Sequence, residues 1–275
     1  MIMSYTPGTQ TDLPEAARER LAKMRGTGAQ EKLFTSDLSV NEFLLVREAG
    51  FAPLGLVMGS SVYHMGFQWQ KNFQNQELQV LTQATYQARE LAITRMEEEA
   101  DALGADGIVG VRFELKRLQM EESLLEVLAV GTAIKHTSGD HYRTNDNRPF
   151  TSDLSGQDFW TLLRAGYMPV SLVMGNCVYH VASIGIRQAW GNMGKNIEIP
   201  QYTQGIYEAR ELAQSRMSAE AEAKQAEGII GADISEHNHG WDPRIIEYFA
   251  VGTAIKKREA AGQITTPSLV LTVNQ

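Results

Sequence analysis

The sequence contains itself twice, and this constrains the fold more than anything else in the chain. Phe34-Thr35-Ser36-Asp37-Leu38-Ser39 recurs letter for letter as Phe150-Thr151-Ser152-Asp153-Leu154-Ser155, 116 residues later. Tyr63-His64 meets Tyr179-His180 at the same spacing. Further on the spacing is 121: Ala88-Arg89-Glu90-Leu91-Ala92 matches Ala209-Arg210-Glu211-Leu212-Ala213, and Val130-Gly131-Thr132-Ala133 matches Val251-Gly252-Thr253-Ala254. Collinear blocks of this quality mark a tandem duplication. The change of spacing puts extra residues between His180 and Ala209, where a surface loop absorbs length. The 275 residues then divide into an N-terminal helical arm (1–33), a first copy (34–136), a polar linker (137–149), a second copy (150–257) and a C-terminal tail (258–275).

Within one copy the signals are local. Ser39 and Glu42 form a capping box ahead of Phe43, Leu44 and Val46, and Gly50 stands where a helix ends, so a short helix is predicted over 39–49. Phe51 to Tyr63 is rich in Val, Leu and Gly and reads as strand. Thr82 to Leu103 is the clearest helix, with Ala84, Ala88, Leu91, Ala92, Met96, Ala100 and Leu103 on one face and Arg89 and Glu90 off it. Gly104 stops it, and two strands follow, from Ile108 and over Leu124–Ile134. The fold class is therefore α+β: two tandem β-α-β-β domains, each an antiparallel sheet packed on one long helix. In the arm, Asp12 and Pro14 start a helix running to about Arg25 with Leu13, Ala17, Leu21 and Met24 on one side.

One helix covers one face of a sheet and leaves the other bare. Two such faces must meet, within the chain or between chains. The tail carries Leu269, Val270, Leu271 and Val273, a β-prone run expected to add to an exposed edge in its own chain or a neighbour's.

Composition removes whole classes of function. One cysteine excludes an intrachain disulfide and a Cys-rich metal or iron–sulfur site. A net charge of -8 argues against broad nucleic-acid binding. The amino end lacks a signal-peptide pattern and no apolar run is long enough to span a bilayer, so a cytoplasmic location is expected. No nucleophile elbow, dinucleotide fingerprint or P-loop is present, and no catalytic residue is expected.

Ala88-Arg89-Glu90-x-Ala92, Leu103-Gly104-Ala105-Asp106-Gly107-Ile108-Val109-Gly110-Val111 and Val130-Gly131-Thr132-Ala133 together resemble the YbjQ-like family, usually described as heavy-metal-binding. The second copy departs from the pattern, with Gln225 and Glu227 where the first has Gly104 and Asp106. The resemblance implies a dodecin-like fold for each copy and assembly into pentameric rings. Two-domain chains cannot fill five positions evenly, so it implies a ring of ten domains, two stacked rings or a larger shell.

The candidate site residues follow from the repeats. Tyr63-His64 and Tyr179-His180, left intact by duplication, are candidates for a ligand site or an interface, because a histidine at a strand end can bind an anion or titrate near neutrality. Arg89-Glu90 and Arg210-Glu211 can form charge pairs and are read as interface residues. His237 and His239 alternate in an extended segment, where both rings can face one divalent metal, although the first copy has no histidine there. Asp37 and Asp153 are read as helix caps, Met58 and Met174 as core fillers, and Cys177 as an inert buried thiol. The function expected is a non-catalytic, self-assembling homo-oligomer, a pentamer-based ring or a larger shell, requiring no cofactor. The partner is the chain itself, and the sequence names no cargo. The alternative is a metal- or small-ligand-binding module with sites between domains or subunits.

Overall fold

A computed structural model describes residues 13–26, 34–64, 74–117, 124–139, 142–182, 198–238 and 244–258. The arm forms α1 (Glu15–Arg25), which buries Leu21 and Met24. In the first copy α2 (Val40–Glu48) is closed by the capping box: Glu42 N–H donates to Ser39 Oγ and Ser39 N–H to Glu42 Oε2. Then come β1 (Phe51–His64), the two-residue β2 (Gln76–Glu77), α3 (Gln79–Leu103), β3 (Gly107–Arg117) and β4 (Leu124–His136). The second copy repeats this as β5 (Phe150–Thr151), α4 (Gly156–Arg164), β6 (Tyr167–His180), α5 (Pro200–Ala223), β7 (Gly228–Asn238) and β8 (Ile245–Lys257).

The fold is mixed α+β with two four-stranded sheets, in the orders β1-β4-β3-β5 and β2-β6-β8-β7. The long strands pair antiparallel, and β1 and β6 each carry a register shift at a proline, Pro53/Gly55 and Pro169/Ser171. Each copy lends a two-residue strand to the other's sheet: β2 pairs with Tyr179 and His180 of β6, and β5 pairs in parallel with Gly107 and Ile108 of β3. Segments this short carry no periodicity, so the sequence does not announce the exchange.

The layers run first sheet, α3, second sheet, α5. α3 approaches its own sheet closely because small residues meet: a Cβ on Gly59 would lie 2.1 Å from the Ala92 carbonyl oxygen, and one on Gly175 equally 2.1 Å from that of Ala213 on α5. The apolar face drawn from the sequence, Ala88, Ala92, Met96 and Ala100, is buried against the first sheet. α3 has a second buried face, however, because Leu172, Met174, Val178, Ile245 and Phe249 of the second sheet share its core. Arg89, placed off the apolar face by periodicity, belongs to that second face and is fully buried.

One further expectation is corrected. Helices α2 and α4 are capped by Ser39 and Ser155, while Asp37 pairs with Arg112 and Asp153 accepts a hydrogen bond from the Thr253 hydroxyl. The linker packs against the first copy, with Arg143 2.8 Å from Asp101, Arg148 3.4 Å from Glu97, and Tyr142 edge-on to Phe51.

Candidate functional interface

The described residues build one large polar-lined contact, the face of α3 and β2 against the outer side of the second sheet. At its centre Arg89 Nη1 lies 2.7 Å from Glu247 Oε1, with both side chains buried. The guanidinium also sits 4.0 Å from the centroid of Phe249, so a cation–π contact supports the charge. Neither ion would persist there alone, because an unpaired buried charge is strongly unfavourable. Asn176 donates to the Thr82 carbonyl at 3.0 Å and to Thr85 Oγ1 at 2.5 Å. Val178 N–H donates to Thr82 Oγ1 at 2.9 Å, and Leu78 N–H to the Val178 carbonyl at 2.8 Å. At the rim Arg216 Nη1 lies 2.7 Å from Glu77.

The charge pairs read from sequence are therefore rearranged. Arg89 pairs with Glu247 of the other copy, not with its neighbour Glu90. Glu90 is half-buried, and burial raises its carboxyl above the ordinary range against the pull of Lys224 and Arg148. Arg210 and Glu211, at the sister positions on α5, are exposed, and Arg210 lies 5.0 Å from the Tyr248 ring. Glu247 was not singled out in the sequence reading. Its signal was present in the repeat, since Glu126 stands at the sister position.

The Tyr-His pairs divide. Each tyrosine turns toward its own long helix: Tyr63 donates to Gln87 at 2.6 Å, and Tyr179 to Glu208 at 2.5 Å. Burial and Glu208 both raise the Tyr179 hydroxyl. The histidines lie on the opposite side of their strands from the tyrosines. His180 is fully buried beneath the segment before β2, its Nδ1 3.4 Å from the Gln74 carbonyl, whereas His64 is exposed. Cys177 is buried and its thiol pushed up to about 12, chiefly by burial. Its sister Ser61 donates to the Ala88 carbonyl at 2.6 Å.

Carboxylates gather beside a cleft of about 240 Å³ between the copies, lined in part by Glu97, Arg148, Ser171, Lys224 and Lys256. Burial pushes Glu97 up to about 7, outweighing the nearby Arg148 guanidinium. Glu220 is also pushed up to about 7 by burial, although the Met174 N–H donates to it at 2.9 Å. For a metal the described residues do not fit. Among the described residues no three His, Cys, Asp or Glu side chains gather around one point. His237 lies with Nε2 3.3 Å from Ser235 Oγ, while His239 falls outside the described residues, as do Leu269, Val270, Leu271 and Val273. No helix among the described residues is long and apolar enough to cross a membrane.

Comparison with known proteins agrees with the duplication. The YbjQ family model, described as "Putative heavy-metal-binding", matches residues 38–137 and again 165–258. The "Encapsulin nanocompartment protein Rv1762c" of Mycobacterium tuberculosis is 49% identical over 262 residues, 95% of this chain and 97% of that protein. Shorter relatives match less of the chain. A UPF0145 protein of Halorubrum lacusprofundi is 40% identical over 36% of this chain and 97% of its own length, and one of Pseudothermotoga lettingae is 40% identical over 30% and 80%. With both copies matched, the chain belongs to the YbjQ family.

Proposed function

We propose that this chain is a non-catalytic, self-assembling protein whose copies build a closed homo-oligomer, a pentamer-based ring or a larger shell. The observation that carries the reading is an inequality between equivalent faces. The outer face of the second sheet is sealed by α3, while the outer face of the first sheet, with Val62, Leu56, Met58 and Leu128, is open or half-open. Apolar surface of this kind, with its sister buried, marks an interaction site. The likeness over nearly its whole length to a protein named for a nanocompartment supports assembly, and that name describes a compartment protein rather than an enzyme. In this reading each copy, 34–136 and 150–257, is one dodecin-like building block, the 258–275 tail reinforces an edge, and the protein works in the cytoplasm.

The test is solution mass with imaging. Light scattering should give a discrete multiple of the 30.5 kDa chain, and negative-stain electron microscopy a ring or shell. A monodisperse 30.5 kDa particle at micromolar concentration overturns the reading.

A further inference from the structure

Sister positions in the two copies can be compared one by one, and the exposed member of a pair repeatedly matches a member buried between the copies. Phe34 is 40% exposed where Phe150 is 1%, Leu44 is 53% where Trp160 is 7%, and Val62 is 55% where Val178 is 0%. The polar set follows the same rule. The buried Arg89–Glu247 pair has sisters in Arg210, exposed on α5, and Glu126, half-buried on the open face of the first sheet. Among the described residues Arg210 forms no ion pair with a carboxylate, and Glu126 forms none with a cation, although Lys116 stands opposite it in the β3–β4 ladder. The Arg216–Glu77 pair has sisters in Arg95 and Glu198. Arg95 already holds the Ser60 carbonyl at 2.5 Å as Arg216 holds that of Asn176 at 2.7 Å, and Glu198 is exposed. Thr82, which receives the Val178 N–H, has its sister in Thr203, and Val178 in Val62.

The edges agree. The ring of Phe150 fills the space at Gly107, where a Cβ would lie 2.2 Å from it. At the sister Gly228 the nearest atom to such a Cβ is 4.0 Å away, and the edge of β7 that corresponds to the β5-paired edge of β3 carries no strand among the described residues.

Resting on the self-assembly reading, we infer that a second copy of this chain docks head-to-tail. The α5 face of one chain covers the open face of the next chain's first sheet, with Arg210 pairing with Glu126 of that neighbour, as Arg89 pairs with Glu247 within the chain. The neighbour's Phe34-Thr35 segment pairs in parallel with Gly228 and Ile229 in the same contact. The surface on each side differs, so the contact is heterologous: it propagates the internal stacking and ends only when the stack closes on itself. Every interface between successive copies, inside or between chains, then has one geometry, and the chain boundary vanishes from the assembly.

The test uses the full chain carrying Val62→Cys and Thr203→Cys, with Thr82→Cys and Val178→Cys as the internal control that must close within one chain. Under oxidation and denaturation, head-to-tail docking gives a ladder of two, three and more chains, because each chain links to a different neighbour on each side. A ladder that stops at two shows a symmetric contact and overturns the inference. So does an assembly of normal mass in which no cross-link forms. A second measurement uses charge. Glu126→Arg should reduce the assembly to single chains, and adding Arg210→Glu to the same chain should restore it; an assembly of unchanged mass in Glu126→Arg overturns the pairing. If the unaltered chain is itself a 30.5 kDa monomer, the self-assembly reading falls first. If it assembles but these variants do not respond as stated, only the docking mode falls.

Discussion

Arg89 and Arg210 occupy the same position in two copies of one unit, yet the first is fully buried against Glu247 and the second lies exposed over a tyrosine ring. His180 and His64 differ in the same way, as do Phe150 and Phe34. Local sequence does not explain the divergence, because the flanking residues match. Position in the stack does: the second sheet has α3 along one face and α5 along the other, whereas the first sheet has a long helix, α3, along one face only, with the short α2 and α4 packed at one end against Phe51, Val109 and Ile134. A residue's environment here depends on which neighbour its layer meets. Polar residues such as Arg89 and Glu247 can therefore sit at the centre of an interface in one copy and near solvent in the other.

The sharpest way to break the comparison is at the central ion pair. Arg89→Ala leaves Glu247 buried without its partner and should destabilise the folded chain by about 3–5 kcal/mol, read by urea unfolding. Arg210→Ala should leave unfolding within about 0.5 kcal/mol in dilute single chains while lowering the solution mass at working concentration. Equal losses in the two variants would show that the two arginines are not divided between interior and interface.

Where the copies are built alike, substitutions should act alike. Gly59→Ala and Gly175→Ala each drive a methyl into helix backbone at 2.1 Å, and each should cost about 1–3 kcal/mol in thermal unfolding. Unequal costs would show that one helix can retreat from its sheet. Where the copies differ, the effect should divide. Gly107→Ala meets the Phe150 ring and should weaken the fold by about 1 kcal/mol or more. Gly228→Ala makes only an ordinary contact, 4.0 Å from Ile255, and should leave the single chain unchanged while weakening association.

The smallest effect concerns pH. Glu97 and Glu220 are held near 7 by burial, above their ordinary 4.5, so the folded chain favours their protonated forms. Their contribution is complete below about pH 4.5, is lost as pH rises through about 7, and stays lost above it. Glu97→Gln with Glu220→Gln should flatten that fall and raise the melting temperature at pH 8, by about 2–4 °C for each ~1 kcal/mol recovered. A pH profile identical to that of the unaltered chain would place both carboxylates in water.

Much of one copy was legible from the residues. The capping box at Ser39 and Glu42, the stop at Gly104 and the strand over Phe51–Tyr63 rest on local chemistry, and the structure shows each of them. α3 begins at Gln79 rather than Thr82 because its first turn is set by Leu78, whose N–H bonds to Val178 of the other copy. The centre of the interface was hidden for the same reason. Thr82, Thr85 and Arg89 read as a solvated face until Asn176 and Glu247 are laid against them, and those lie 94, 91 and 158 residues away along the chain. Asp37 and Asp153 misled because an aspartate before a helix is an ordinary cap, whereas here each answers to a partner on a strand.

The claim that the chain boundary disappears in the assembly is tested most directly by amide hydrogen exchange along the two sister strands, β1 and β6. The Val178 N–H is protected by Thr82 within the chain, and head-to-tail docking gives the Val62 N–H the same protection from Thr203 of a neighbour. The account predicts that residues 58–64 and 174–180 exchange at matching rates in the assembled protein, and that Glu126→Arg speeds exchange in 58–64 alone. Fast exchange of 58–64 beside slow exchange of 174–180 in the unaltered assembly would contradict it.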